Sequence, residues 1–474
     1  MEKDGAVERF RQAIRIRTDW PENAQRDDPP PEVLEAAEAP LRAFQDFLTA
    51  AYPRFLQATE RWIFSPYALV YRWPGGGGLP EAGTSPGGGA LILAHYDVVP
   101  VETDKWSADP FGAEIREGFM YGRGTQDMKG SLIAIMEAAE ELVIRGFRPK
   151  QDIWFAFGGD EERSGLQGAQ TIAAWFAGRG QRFSWILDEG SPVTINQIRG
   201  ICRPLALFSV EEKGFLSLEL AVDQKPGHSS RPPRVQAVAL LARALLQVSR
   251  RPFPVRLNPT VASFFSHLAA LKSQERGGSP RTGVVAIKTA VLSALGPLAA
   301  PVLALSYRND PQILALLGTT VAMTQLEGSA ADNVMPSQAR AVINLRLLAP
   351  WSVDDAINYI SWVIGDDRVK IRTLGLASSP VPAHPEHGRA RGPGWEEMVK
   401  AAAAVFPGAV PIPFIMTAAT DSRHYQKLAG GIFRFCPMQL SPADMSSVHG
   451  HDERVSLENF FLAVNFYTTL FGLL

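Results

Sequence analysis

The stretch LILAHYDVVP, residues 91–100, is an apolar run that stops at His95-Tyr96-Asp97. A short apolar run of this kind reads as a strand buried on both faces, as strands of parallel sheets are. More carboxylates follow at the ends of later runs. GRGTQDMKG supplies Asp127, FGGDEERSG supplies Asp160, Glu161 and Glu162, and SWILDEGSP supplies Asp188 and Glu189. Near the C-terminus, SVHGHDERV adds His449. Zinc takes imidazole and carboxylate ligands at about 2.0–2.2 Å, and a catalytic zinc keeps one position open for water. A histidine and a series of acids, each where an apolar strand stops, form the donor set of a two-zinc hydrolase.

Working outward from residue 91, strands and helices alternate. ALILAHYDVV is a strand, GSLIAIMEAAEELVIRG a helix, DIWFAFGGD a strand, GLQGAQTIAAWFAG a helix and FSWILDEG a strand. This alternation predicts an α/β fold, a mostly parallel sheet with helices on both faces. Ligands in such sheets bind at the carboxyl ends of the strands, which is where the acids and His95 fall. After residue 214 the order becomes strand-helix-strand-helix-strand, an α+β lid domain over 215–375 stretched by a helical insertion at about 250–330. The Pro/Gly-rich passage ASSPVPAHPEHGRARGPG then reads as a linker. The helices of 376–474 return to the first domain (1–214), so the lid is inserted within it. GGGGLPEAGTSPGGG at 75–89 reads as a flexible loop.

The bulk composition narrows the function. A chain of 474 residues, 46% apolar and 20% charged, is too long for one ordinary core. A net charge of −2 gives no pull toward nucleic acid or anionic lipid. The two cysteines, Cys202 and Cys436, form no CxxC pair or disulfide framework, and the first residues lack the apolar stretch of a secretory signal. These features point to the cytoplasm. Residues 289–307, TAVLSALGPLAAPVLALSY, are uncharged and long enough to invite a membrane span. Gly296, Pro297 and Pro301 interrupt them, so a packed helical pair or an apolar lining for a substrate channel is the expectation.

The spacing suggests roles for each acid. Asp127 bridges two cations, with His95 and Asp188 on one and Glu162 and His449 on the other. Asp97, two residues past His95, fixes the imidazole tautomer. Glu161 is next to Glu162 in a turn, so that one can bind metal while the other holds the attacking water and takes its proton. Taken singly, each motif has a plainer reading: a satisfied core histidine, a solvated acidic turn, a helix cap. Their order, each at a strand end, outweighs those readings.

HYDVVP, YGRGTQDMKG, FGGDEE, LDEG, PGHSSRP and HGHDERV, in that order, closely resemble the zinc metallopeptidase family that includes aminoacylase, carboxypeptidase S and succinyl-diaminopimelate desuccinylase. The resemblance covers nearly the whole chain. It implies two Zn2+ (the same N/O ligands also suit Co2+ or Mn2+), Glu161 as general base, an inserted lid and a cis peptide after Asp127. It also implies that His228, in KPGHSSRPP, stabilises the tetrahedral intermediate, often from the lid of a partner subunit. Asn333 and Arg346 match lid positions that contact substrate. Arg423, in AATDSRHY, is a second carboxylate anchor, since a guanidinium fork holds a carboxylate bidentately. His451 departs from the pattern by following HG directly, and competes with His449 as a ligand.

The reaction these motifs imply is hydrolysis of an amide next to a free carboxylate. The substrate is an N-acyl amino acid, with the apolar insertion at 283–325 lining a pocket for a hydrophobic acyl group or side chain. The alternative is a carboxypeptidase or dipeptidase acting on short unmodified peptides. A non-catalytic metal-binding scaffold is disfavoured because Glu161 is retained. A homodimer through the lid is the one macromolecular partnership the resemblance suggests.

Overall fold

The computed structural model describes residues 3–21, 30–76, 88–196, 198, 201–275, 299–387 and 390–474. Most of the glycine-rich loop at 75–89 and residues 289–298 of the apolar stretch lie outside them.

Eight strands make the large sheet, in the order Glu60–Ser65, Ala68–Trp73, Ile153–Gly158, Gly89–His95, Phe183–Thr194, Ile432–Leu440, Leu205–Glu212 and Val410–Met416. Gly89–His95 is buried along its whole length, because it runs parallel to a neighbour on each side and helices cover both faces. Helix Lys129–Ile144 packs on one face with the C-terminal helix Leu457–Leu473 behind it, and their side chains share the main core with Ile92, Leu187 and Phe433. Ile172, Phe176 and Tyr425 cover the other face. Parallel register sets His95 opposite Gly158, so the turn that begins at Glu161 opens beside the imidazole. Ile432–Leu440, from the segment after residue 390, pairs in parallel with Phe183–Thr194.

The lid is a four-stranded antiparallel sheet, Thr320–Glu327, Gln338–Leu347, Gly214–Asp223 and Lys370–Ser378. Leu216, Leu218 and Leu220 alternate inward against helices Ala237–Arg250 and Val353–Ile364, giving the lid its own core. Helix Val353–Ile364 is started by a capping box between Ser352 and Asp355 and stopped by Gly365 at φ +57°. The edge strand Thr320–Glu327 falls inside the segment that the sequence assigned to a helical insertion.

The rest of that insertion belongs elsewhere. Helices Pro259–Glu275, Ala300–Ser306 and Pro311–Leu317 bury Val261, Phe264, Leu303 and Leu316 against Leu205, Leu207, Ile412 and Ile415 at the edge of the large sheet. At the crossing from sheet to lid, Lys213 is buried and donates its Nζ to the carbonyls of Ala315 and Gly318, 2.9 and 2.8 Å away. Burial lowers its pKa to about 7. The return crossing lies alongside, where Glu212 and Val381 exchange backbone hydrogen bonds. No helix among the described residues is long and apolar enough to cross a membrane, and Cys202 and Cys436 form no disulfide.

Candidate active site

The site is built from the end of strand Gly89–His95 and from turns gathered beside it. His95 closes Gly89–His95, and its Nε2 lies 3.0 Å from Asp127 Oδ1. The other oxygen of Asp127 lies 3.0 Å from His449 Nε2, so one carboxylate faces two imidazoles from opposite sides. Glu162 Oε1 is 3.3 Å from His449 Nε2, and Glu189 Oε1 is 3.6 Å from His95 Nε2. Two overlapping groups of potential donors result: His95, Asp127 and Glu162, and His95, Glu161 and Glu189, each with ligand atoms within 4.8 Å of one another. Asp127 is placed by the turn before helix Lys129–Ile144, and the Asp127–Met128 peptide is cis.

Asp188 differs from its sequence-based assignment. Its Oδ2 accepts from the backbone N–H of Ser422 at 2.8 Å and its Oδ1 from the N–H of Glu189 at 2.9 Å. It belongs to neither donor group; the adjacent Glu189 faces the cluster in its place. Asp97 also does more than expected. His95 Nδ1 meets the Asp97 carbonyl at 3.0 Å, with the carboxylate 3.4 Å away. That carboxylate mainly accepts the N–H groups of Glu161 and Glu162, both at 3.1 Å, and the indole N–H of Trp20 at 2.8 Å. It therefore fixes the turn carrying both glutamates as well as the histidine. Glu453, within HGHDERV, accepts from the N–H groups of Gln126 and Asp127 and pairs with Arg123 at 2.6 Å. Trp20 carries no motif, and Glu453, though inside HGHDERV, has no role that the sequence assigned.

Electrostatics show what this arrangement needs. Burial, and then the charge of Glu189, push the Glu161 carboxyl well above the usual range. Burial and then Asp127 do the same to Glu189. Burial likewise opposes charge on Asp127, but hydrogen bonds from His449 and His95 prevail and hold its carboxyl well below the usual range. His449 is raised to about 10 by its hydrogen bonds to Asp127 and Glu162. Among the described residues the buried Glu162 Oε1 has no polar partner other than His449 Nε2, 3.3 Å away. Carboxylates crowded this closely repel unless cations sit between them, and a divalent pair fits the donor set and its geometry.

The cluster opens into a cavity of about 610 Å³ lined by Glu161, Glu162 and His449. Arg346 enters it from the lid, its guanidinium 4.7 Å over the Phe215 ring. Arg423 enters from the short turn Asp421–Tyr425 beside the large sheet. That turn packs closely on the glutamate turn: a side chain at Gly165, where φ is +64°, would strike the Asp421 carboxylate. Leu166, Phe215, Leu376, Ala418 and Ala419 form the apolar wall. None of the described residues of 283–325 lines this cavity; their apolar surface is spent on the core beside the large sheet.

His228 and Asn333 are not brought to the cavity. They sit together on an exposed ribbon of the lid, where Gly227–His228 pairs with Val334–Met335 and Ser229 N–H donates to the Asn333 carbonyl. His451 lies 3.6 Å from Glu102, outside both donor groups. His424 lines the cavity with its Nε2 on the Ser164 carbonyl.

The profile of Peptidase family M20/M25/M40 matches residues 91–472. The chain is 34% identical over 429 residues to a probable carboxypeptidase S-like protein of Dictyostelium discoideum, covering 90% of this chain and 78% of that one. It is 35% identical over 436 residues to an N-fatty-acyl-amino acid synthase/hydrolase of Danio rerio, covering 91% and 80%. An M20 family metallo-carboxypeptidase from Sulfolobus solfataricus has the same fold, with a TM-score of 0.68 at 15% identity over 99% of both chains. Similarity over this much of its length places the protein in peptidase family M20/M25/M40, as a metal-dependent hydrolase.

Proposed function

We propose that the protein hydrolyses the amide bond of N-acyl amino acids that carry a hydrophobic acyl group or side chain. One observation carries this reading. Arg346 and Arg423 line the same cavity as Glu161, Glu162 and His449, and among the described residues neither guanidinium has a hydrogen-bond or salt-bridge partner. Unpaired guanidinium forks beside an acid–histidine cluster suit a substrate with a free carboxylate close to its scissile bond. The apolar wall then receives the hydrophobic part, at about 25 cal/mol per Å² of apolar surface buried. The resemblance to an N-fatty-acyl-amino acid synthase/hydrolase supports an acyl substrate, and that to carboxypeptidase S-like proteins supports the second reading, a short unmodified peptide.

His95, Asp127, Glu162, Glu189 and His449 would hold two cations, with Asp127 between them and zinc suited to the mixed imidazole and carboxylate set. When bound there, such a pair would polarise the scissile carbonyl and acidify the attacking water. Glu161 takes the proton from that water and returns it to the leaving nitrogen. Arg423 and Arg346 grip the carboxylate and orient the amide over the cluster. His228 and Asn333, exposed on the lid ribbon, would complete the site from the lid of a second copy. A cytoplasmic location fits the two cysteines, neither of them in a disulfide.

The test is a turnover screen of N-lauroyl and N-acetyl amino acids and of dipeptides, with chelator and metal add-back. The proposal expects chelator-sensitive hydrolysis that favours N-lauroyl substrates. Preference for N-acetyl substrates would remove the apolar acyl site, and cleavage of dipeptides alone would establish the peptidase reading.

A further inference from the structure

The acid that does not reach the cation cluster has another part in the site. Asp188 is 3% exposed and both its oxygens are engaged, each by a backbone N–H. One belongs to Glu189, whose side chain lies beside His95. The other belongs to Ser422, the residue before Arg423. A single buried carboxylate thus joins the backbone of a cluster glutamate to the turn that carries Arg423.

The turn bearing Arg423 is held from its other end too. Glu212 accepts from the Thr420 hydroxyl at 2.8 Å and from Arg434 Nε at 2.7 Å, and the Thr420 and Ser422 hydroxyls lie 2.6 Å apart. Arg434 and Thr420 are 0% exposed. Arg346, by contrast, rides on the lid sheet, which has a core of its own. A distance that is to be measured on the substrate must be set by groups that cannot move relative to each other. Of the two arginines, only Arg423 is tied to the cluster by such a direct link among the described residues.

We propose that Asp188 is a positioning residue, a strut that fixes the spacing between Glu189 and Arg423. Through that spacing it makes the enzyme select substrates whose carboxylate lies one carbon from the scissile nitrogen. Derivatives of β-amino acids, with one more methylene, place the carboxylate out of register when the amide sits on the cluster. The inference rests on the reading that Arg423 receives the free carboxylate.

Asp188→Asn tests it with little change of volume. An amide can accept from only one of the two N–H groups, and its NH2 faces the other. The experiment compares kcat/KM for N-acyl-alanine and N-acyl-β-alanine, and for the dipeptides Ala-Gly and Ala-β-Ala, in the parent enzyme and the variant. Metal content is measured alongside. The strut predicts that preference for the α-compounds drops about tenfold or more while metal content stays at the parent level. It also predicts that Asp188→Asn adds no further loss of preference in an Arg423→Ala background. An equal loss on both members of each pair overturns the proposal, as does a fall in metal content, which would make Asp188 a ligand. If Asp188→Asn does not fold, Thr420→Val loosens the same turn from its other end and must lower the same ratio. A parent enzyme that cleaves neither kind of substrate would instead overturn the proposed function itself.

Discussion

The two sides of the cavity are built on different principles. At and beside the large sheet, His95, Asp97, Asp188 and Glu453 are nearly or fully buried, and Asp97, Asp188 and Glu453 each accept backbone N–H groups from distant parts of the chain. On the lid, His228 and Asn333 are exposed, and Arg346 is steadied by the Phe215 ring with no hydrogen-bond or ion-pair partner among the described residues. One side holds charges that repel one another and must be clamped. The other presents donors that wait for a substrate. In the proposed mechanism, cation placement and water activation would belong to the rigid side, and substrate capture to the lid and to the Arg423 turn.

The largest effect should come from the rigid side. Glu161→Gln removes the proton acceptor without changing the shape of the turn, and kcat should fall by about 10²–10⁴-fold with metal content and melting temperature unchanged. An active Glu161→Gln enzyme would move the general base elsewhere.

A pH experiment sharpens the contrast through His387, which is 0% exposed beneath the large sheet with Nε2 on the Pro393 carbonyl. Burial lowers its pKa to about 4, against about 6.5 in an unfolded chain. Between those values the unfolded state binds more protons, so His387 makes the fold lose stability as pH falls from about 6.5 to 4. The loss approaches 3 kcal/mol, roughly. Amide exchange at pH 5 should accelerate in strand Ile432–Leu440, which carries Phe433 against His387, before it does in the lid strands. The acid sensitivity should shrink in His387→Phe; equal acceleration in both sheets would contradict the assignment.

Substitution on the lid should separate binding from metal retention. Arg346→Ala should raise KM for free-acid substrates by about tenfold to a hundredfold, the worth of one charged hydrogen-bonding partner, and leave metal content intact. Loss of metal in that variant would show that the two sides are not independent. The smallest effect belongs to Trp20→Phe, which deletes one donor to Asp97 while keeping an aromatic ring. A loss of about 1 kcal/mol in stability, with weaker metal retention, would fit a clamp on the Asp97 carboxylate.

The same contrast explains how much the sequence revealed. Strand ends on the large sheet were legible because apolar runs of fixed length stop at polar residues, and the parallel order puts those stops together. Asp127 and His449 sit in turns outside that sheet and were marked only by their motifs, whereas His95, Glu161 and Glu162 follow from that order. Choosing between Asp188 and Glu189 does not, since both sit at the same strand end and the choice is made by the Ser422 N–H, which is 234 residues away. Trp20 is hidden for the same reason, its partner Asp97 lying 77 residues on. The insertion misled because apolar content reports that a surface is buried without saying against what. Its helices cover the edge of the large sheet, and its last stretch becomes the lid's edge strand Thr320–Glu327.

The most direct test of the account is a crystal structure of the enzyme with its metal, recorded at the zinc absorption edge. Two anomalous peaks should flank Asp127, with His95 and Glu189 at about 2.0–2.2 Å from one and Glu162 and His449 at the same distance from the other. A single peak, or a peak coordinated by Asp188 with Glu189 turned away, would contradict it.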